Sequence, residues 1–140
     1  MIKVFIDTNI VLDLLAKREP FYEDAAKIFS LADRGKMRLY VSSLTIANSN
    51  YVLSRLQSAK EARAVLIKFK ILVEILALNS KIIELALSDD SFKDFEDGLQ
   101  YYTGLENEVD LLITRNLKDF KSSKIPVMTA SQYLKRFVST

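Results

Sequence analysis

The chain has 140 residues, is 49% hydrophobic and 27% charged, and carries a net charge of +2, a composition typical of one compact soluble domain. It has no Cys, which excludes disulfides, zinc–thiolate sites and a Cys nucleophile, and no His, which excludes every Ser-His-Asp scheme. Any catalysis must therefore depend on carboxylates, Lys, Tyr or hydroxyl groups. A site built from carboxylates favours a hard cation such as Mg²⁺ or Mn²⁺.

The sequence also bears on location in the cell. Its N-terminal segment is charged too early to be a signal peptide. No apolar run reaches the roughly 18 residues that a membrane span needs. We therefore expect a cytoplasmic protein that does not bind a membrane.

The hydrophobic pattern predicts strands alternating with helices along the whole chain. The first half contains a predicted strand at 2–6, helices at 10–17 and 21–34, Gly35 as a helix end, a strand at 38–42, and helices at 44–57 and 59–71. The second half contains a strand at 72–77, a helix at 80–88, an acidic stretch at 89–97 that leads into a helix ending near 106, strands at 109–114 and 126–128, and a helix at 131–138. This alternation predicts βαβ units and an α/β fold with a mainly parallel sheet.

Polar residues follow three of the predicted strands. They are Asp7-Thr8-Asn9, the segment 42–45, and Thr114-Arg115-Asn116. In parallel sheets, ligands bind beyond the carboxyl ends of the strands. We therefore expect these three turns to meet at one edge of the sheet and to form the functional site.

Asp7 and Asp97 are the strongest candidates for metal binding. Asp7 directly follows an apolar strand, and Asp97 lies early in a predicted helix, three residues after Asp94. Each also has a purely structural interpretation, Asp7 as a helix N-cap and Asp97 as an acid that favours the helix dipole. Two carboxylates about 4 Å apart repel each other by about 1–4 kcal/mol. A bound cation removes that repulsion, orients a water and neutralises charge on a phosphate.

Four short motifs, taken together, resemble the PIN domain, the nuclease fold of VapC-type toxins in toxin–antitoxin pairs. They are Asp7-Thr8-Asn9, the segment 43–48, the segment 94–100, and the segment 113–116 with Asp119-Phe120. The resemblance covers nearly the whole chain. It implies a single domain at 1–140 with a three-layer α/β/α fold, Mg²⁺- or Mn²⁺-dependent cleavage of RNA, a cognate antitoxin partner and a homodimer.

The resemblance also implies roles for individual residues. Asp7 and Asp97 fall on the first and third acidic positions of the family. Asn48 stands where the family usually has Glu, and Asn116 stands where a fourth Asp is often found; Asn can lend a neutral oxygen but no charge. Asp94 or Asp119 could supply the missing charge. The expected catalytic residues are Asp7, Asp97, Asp94 and Asn48, and the expected metal ligands are Asp7, Asp97, Asn116 and Asp119. Thr8, Asn9 and Thr114 would orient the carboxylates or a metal-bound water.

Three other functions are alternatives to an active nuclease. The two Asn residues motivate a catalytically weak PIN domain that acts as an RNA- or antitoxin-binding module. A receiver-like phosphoacceptor domain needs an acidic pair after the first strand and an Asp after the third, and neither is present. A haloacid-dehalogenase-like phosphatase needs a second Asp two residues after the first, where this chain has Asn9.

Some basic and aromatic residues are candidates for RNA contacts. The basic patches are Lys17-Arg18, Arg34/Lys36/Arg38 and Arg55/Lys60/Arg63, and the aromatic residues are Tyr51, Tyr101 and Tyr102. Basic patches contact phosphates in some proteins but more often only keep the surface soluble. Tyr side chains stack on the bases of single strands but more often pack, half-buried, against the core.

Overall fold

The structure, a computed structural model, describes residues 1–138. In that range five strands form one sheet in which every neighbouring pair is parallel. The strands are β1 (Lys3–Ile6), β2 (Arg38–Ser42), β3 (Glu74–Leu76), β4 (Leu111–Ile113) and β5 (Val127–Met128). Their spatial order is β3-β2-β1-β4-β5, so the first strand of the chain lies in the middle of the sheet.

Helices connect the strands. Within residues 1–138 they are α1 (Thr8–Leu15), α2 (Tyr22–Asp33), α3 (Ser43–Leu56), α4 (Ala59–Phe69), α5 (Ser80–Ser88), α6 (Phe95–Glu106) and α7 (Ala130–Phe137), with a short 3₁₀ helix at Leu117–Phe120. Polar side chains cap several N-termini by accepting hydrogen bonds from first-turn N–H groups, as Asp7, Ser42, Asn79 and Thr129 do. None of the helices in this range is long and apolar enough to span a membrane.

Helices cover both faces of the sheet because alternate strand residues point to opposite sides. Val4 and Ile6 of β1 pack into one core with side chains of α1 to α4 and α7. Phe5, between them, packs on the other side with Tyr101 of α6 and Phe120. All three strand residues are fully buried, as expected for a strand covered on both faces. The three-layer α/β/α fold is therefore confirmed, and the sheet is entirely parallel.

The element boundaries differ from the sequence prediction by a few residues. Helix α1 begins at Thr8 rather than residue 10, because Asp7 caps it. The strands predicted at 72–77 and 109–114 shorten to Glu74–Leu76 and Leu111–Ile113, since pairing with the neighbouring strand covers only three residues in each. The 3₁₀ helix at Leu117–Phe120 was not predicted.

Candidate active site

The three predicted polar turns meet at the carboxyl edge of the sheet. Asp7 follows β1, Ser42 ends β2, and Thr114 follows β4, and β1 pairs with both of the other strands. A cavity of about 240 Å³ opens at this edge. Of the predicted site residues it is lined by Asp7, Thr8, Asn9, Asn48, Asp97 and Asn116, and it is also lined by Arg18, Glu96 and Gln100.

Asp7 is held in place by hydrogen bonds on both carboxylate oxygens. Its Oδ1 accepts from the Thr8 N–H at 2.8 Å and from Gln100 Nε2 at 3.2 Å. Its Oδ2 accepts from the Thr114 hydroxyl at 2.8 Å. The carboxylate is only 7% exposed, and this burial raises its pKa, against the lowering effect of those hydrogen bonds.

Hydrogen bonds join Asn9, which follows β1, to Thr114 and Arg115, which follow β4. Asn9 Nδ2 lies 3.5 Å from Thr114 Oγ1, and Asn9 Oδ1 accepts from the Arg115 N–H at 3.4 Å. The Thr114 hydroxyl also accepts from the Asn116 N–H at 3.1 Å. The turn after β4 is thereby tied to the turn after β1, as expected for residues that orient Asp7.

Gln100 is the central residue of a buried polar network that the sequence prediction missed. Its side-chain N–H group reaches Thr45 Oγ1 at 2.8 Å and Thr8 Oγ1 at 3.2 Å as well as Asp7, and its carbonyl oxygen accepts from Ser42. Gln100 is 3% exposed, and Ser42 and Thr45 are fully buried. Its position three residues after Asp97, on the same helix face, was the available sequence signal.

Asp97 lies across the cavity from Asp7, at the start of α6. Its pKa is raised from 3.8 to about 7, first by burial and then by repulsion from Asp7, Asp94, Asp119 and Glu96. With this pKa, Asp97 is only partly ionised near neutral pH, because burial and then the neighbouring negative charges disfavour its ionised form. This is the carboxylate repulsion that the sequence predicted.

Asp94 and Asp119 do not line the cavity. Asp94 is the N-cap of α6 and accepts from the Glu96 N–H at 2.9 Å. Asp119 lies in the 3₁₀ helix and reaches the site only through its charge, which raises the pKa of both Asp7 and Asp97. Among residues 1–138, no group of three or more acidic side chains lies close enough together to hold a metal ion by itself.

Glu96 is the acid that the structure brings to Asn48. Asn48 Nδ2 donates to Glu96 Oε1 at 3.4 Å, so a carboxylate from α6 stands beside the position where the family usually has Glu. From the sequence, Asp94 and Asp119 were the expected sources of the missing charge. Glu96 was missed because it is an exposed acid in the first turn of a helix, where acids are common.

Some of the basic and aromatic candidates lie at the cavity, and others lie elsewhere in the fold. Arg18 lines the cavity, whereas Arg38 forms an ion pair with Glu74 at 2.8 Å on the sheet edge. Tyr101 is 3% exposed and packs in the core, so for this residue the packing interpretation holds. Tyr102 packs against the same core and donates its hydroxyl to Asp89 at 2.6 Å.

The donor groups around the cavity suit a hard cation. They are the carboxylates of Asp7, Glu96 and Asp97, the amide oxygens of Asn48, Gln100 and Asn116, and the hydroxyl of Thr8, and the chain has no His or Cys to offer a nitrogen or sulfur ligand. A divalent cation bound by Asp7 and Asp97 would offset the burial cost of both carboxylates and the repulsion that Asp7 exerts on Asp97.

Fold and site together define an α/β protein with a carboxylate pair at the edge of a parallel sheet. Residues 3–118 match the family model described as the PIN domain, and the chain belongs to that family. It is 30% identical over 139 residues to a protein named ribonuclease VapC1 from Aquifex aeolicus, covering 96% of this chain and 95% of the relative.

Solved structures share the fold. A DNA-bound VapBC from Salmonella typhimurium superimposes with a TM-score of 0.72 at 20% identity, over 93% of this chain and 99% of the other. VapBC-1 from nontypeable Haemophilus influenzae gives a TM-score of 0.70 at 21% identity, with the same coverage of 93% and 99%.

Proposed function

We propose that this protein is a divalent-metal-dependent endoribonuclease and the toxin of a toxin–antitoxin pair. The observation that carries the proposal is the shared cavity of Asp7 and Asp97, in which burial raises the pKa of both acids and the charge of Asp7 raises that of Asp97 further. Membership of the PIN-domain family and the relative named as a ribonuclease support RNA as the substrate.

In this proposal, different residues of the cavity bind the cation, orient its ligands and attract the phosphate. Asp7 and Asp97 hold the cation, Asn48 and Asn116 offer neutral oxygens to it, and Mg²⁺ or Mn²⁺ when bound activates water and neutralises charge on the scissile phosphate. Thr8, Thr114 and Gln100 hold the Asp7 carboxylate in one orientation. Arg18, on the cavity wall, is positioned to attract the phosphate.

Partners are part of the same proposal. Both of the similar structures described above are of proteins named VapBC, which supports a cognate antitoxin for this chain. We also propose a homodimer, as the family resemblance implies.

The alternative function is that of a PIN domain that binds RNA or an antitoxin with little cleavage. Asn48 and Asn116, together with the lack of a three-acid group in residues 1–138, are the observations that favour it.

The decisive experiment measures cleavage of single-stranded RNA with Mg²⁺, with Mn²⁺ and in excess chelator. Cleavage should require one of the cations. Asp7→Asn and Asp97→Asn should each lower the rate by roughly a hundredfold or more, because metal stabilisation supplies several kcal/mol and about 1.4 kcal/mol is tenfold.

Asp90→Asn is the matched control, because Asp90 is an exposed acid of the loop before α6 and does not line the cavity. It should cleave at the parent rate. Undiminished cleavage in chelator would contradict metal dependence. Cleavage within about threefold of the parent in both site variants, a change too small for a lost metal ligand, would show that Asp7 and Asp97 are structural caps.

A further inference from the structure

A second cavity, of about 530 Å³, lies beside the candidate active site. The two cavities share Asn116, which follows Arg115 in the turn after β4. Arg115, Phe21 and Ser131 line this second cavity, so its walls come from the turn after β4 and from the beginnings of α2 and α7. A strand of RNA lying across the carboxylate site would have this cavity next to it.

The guanidinium group of Arg115 is held in place but keeps its hydrogen-bonding capacity. It stacks on the Phe21 ring with its Cζ 4.1 Å from the ring centre, and its Nε lies 3.0 Å from Asp13 Oδ2. The Nε of Arg115 therefore faces the Asp13 carboxylate. Within residues 1–138, the two terminal NH₂ groups of the guanidinium donate to no protein acceptor and remain available to a ligand. A fixed cation with unused donors fits an oxyanion.

The N-terminus of α7 adds further donors to the same wall. The capping box of α7 uses the N–H groups of Thr129 and Gln132. The N–H groups of Ala130 and Ser131, which precede the first intrahelical bond, remain at the cavity lining. Two carboxylates in this cavity would repel a bound anion. They are Asp13, which is 1% exposed and paired with Arg115, and Asp24 on the cavity wall.

We propose that this cavity is a phosphate subsite, in which Arg115 binds the backbone phosphate of a nucleotide that flanks the cleavage point in RNA. The inference rests on the proposed ribonuclease function and adds a substrate contact to it. RNA fits better than an acidic protein segment, because its phosphates recur along the strand and the adjoining cavity already contains Arg18.

The experiment measures the binding of a fluorescein-labelled single-stranded RNA by anisotropy, in chelator so that no strand is cut. Ser131→Asp places a carboxylate in the cavity at a first-turn position where acids favour a helix, so the fold is preserved. We expect its Kd to rise about tenfold, the effect of losing one charge-assisted contact. Asp24→Asn should have the opposite effect and lower the Kd.

Each variant has a control with the same change of charge. Ser80→Asp lies in the first turn of α5, exposed and outside the cavity, and Asp90→Asn is exposed in the loop before α6. Both should leave the Kd within about twofold of the parent, as expected for screened surface charges. A Ser131→Asp protein whose Kd matches that of Ser80→Asp would overturn the proposal.

A second variant removes the positive charge of Arg115 without leaving a buried, unpaired carboxylate at Asp13. The double change Asp13→Asn with Arg115→Gln deletes both charges of the pair. The slope of log Kd against log salt should become shallower by about 0.7, the value for one phosphate contact on a single strand. In the parent, replacing single phosphates by neutral methylphosphonates should identify one whose loss weakens binding. That same replacement should have no effect in the double variant. An unchanged slope, or an equal loss in both proteins, contradicts the subsite.

RNA binding and RNA cleavage are measured in separate experiments, so the phosphate subsite and the ribonuclease function can be refuted independently. A parent that binds RNA with the expected variant effects but cuts nothing with Mg²⁺ or Mn²⁺ keeps the subsite and overturns the ribonuclease. A parent that cuts RNA but shows no difference between Ser131→Asp and Ser80→Asp keeps the ribonuclease and overturns the subsite.

Discussion

The Asp7 carboxylate performs two tasks at once. It caps α1 through the Thr8 N–H, and it faces the cavity that contains Asp97. Helix capping and metal binding were alternative interpretations of this residue in the sequence, and the structure is compatible with both. Gln100 and Thr114 make this possible, because they hold the carboxylate where its capping bond and its exposure to the cavity coexist.

Gln100→Leu should therefore affect both stability and cleavage. It removes the donor to Asp7 and one hydrogen-bond partner from each of the buried Ser42 and Thr45 hydroxyls, at a cost of about 1–3 kcal/mol in the free energy of unfolding. Residues that orient metal ligands contribute about 10–100-fold to activity, so the cleavage rate at saturating Mg²⁺ should fall within that range. Denaturant unfolding and single-turnover cleavage measure the two effects.

Thr103→Val provides the matched control on the same helix. Thr103 is fully buried, and its hydroxyl donates only to the Leu99 carbonyl oxygen. The change should cost about 0.5–1.5 kcal/mol of stability and leave cleavage at the parent level. A Gln100→Leu protein that cleaves like Thr103→Val would show that the network serves the fold alone.

Asn48→Glu tests whether the site is short of negative charge. Hard cations depend on charged oxygen ligands, so an added carboxylate facing the cavity should tighten Mg²⁺ binding and raise cleavage at low metal concentration. In metal-free protein the new acid would stand against Glu96, 3.4 Å from the present amide, and should lower the melting temperature. Calorimetric titration with Mg²⁺ decides the point, and unchanged or weaker affinity would show that Glu96 and Asp119 already supply the charge.

Helix α6 carries both Asp97 and Gln100 of the candidate site. Its two glycines, Gly98 and Gly104, have different surroundings. A Cβ at Gly98 would meet Ala86 Cβ at 3.5 Å, an ordinary contact, whereas a Cβ at Gly104 would meet Val109 Cγ2 at 3.2 Å. Gly104 therefore allows α6 to approach the sheet closely, and Gly98 has room for a methyl group.

Gly98→Ala should stabilise the protein by about 0.5–1 kcal/mol, because Ala has less chain entropy to lose in a helix. Gly104→Ala should be the less stable of the two, since the helix or Val109 must shift to admit the methyl group. Denaturant midpoints compare the variants directly. A Gly104→Ala protein as stable as Gly98→Ala would mean that this helix approach tolerates displacement.

The sequence predicted the order and type of the strands and long helices because their apolar periodicity is a local property. It predicted strand ends poorly, since the ends of β3 and β4 depend on how far the neighbouring strand pairs. At the site, Asp7, Asp97, Asn48 and Asn116 were predicted and do line one cavity. Gln100 and Glu96 were missed because a polar residue on a helix has no local sign of what lies opposite it.

Without a bound cation, the ionised carboxylates of the candidate site lower the stability of the whole protein. Burial and the neighbouring acids raise the pKa of Asp97 to about 7, and burial raises the pKa of Asp7 and of Asp13. A carboxyl group whose pKa is higher in the folded state than in the unfolded state binds more protons when folded. Its contribution to stability is therefore full at acid pH and is lost as the pH rises through the folded pKa.

In chelator, the melting temperature of the parent should consequently fall between about pH 4 and pH 7, the interval set by the unfolded and folded pKa of Asp97. Asp97→Asn should fall less over this interval and be the more stable protein above it. Saturating Mg²⁺ at neutral pH should stabilise the parent and leave the variant unchanged. Parallel melting profiles for the two proteins would contradict the raised pKa.

The central place of β1 in the sheet also has a consequence during synthesis. This first strand pairs on one side with β2 and on the other with β4, which ends at Ile113. Asp7 meets Thr114 only when that second pairing has formed. A chain still attached to the ribosome thus cannot complete its site until most of its length has emerged, and long-range parallel pairing is slow to form. Nascent chains that end before Thr114 consequently lack the hydrogen bond that orients Asp7 and have no assembled carboxylate site.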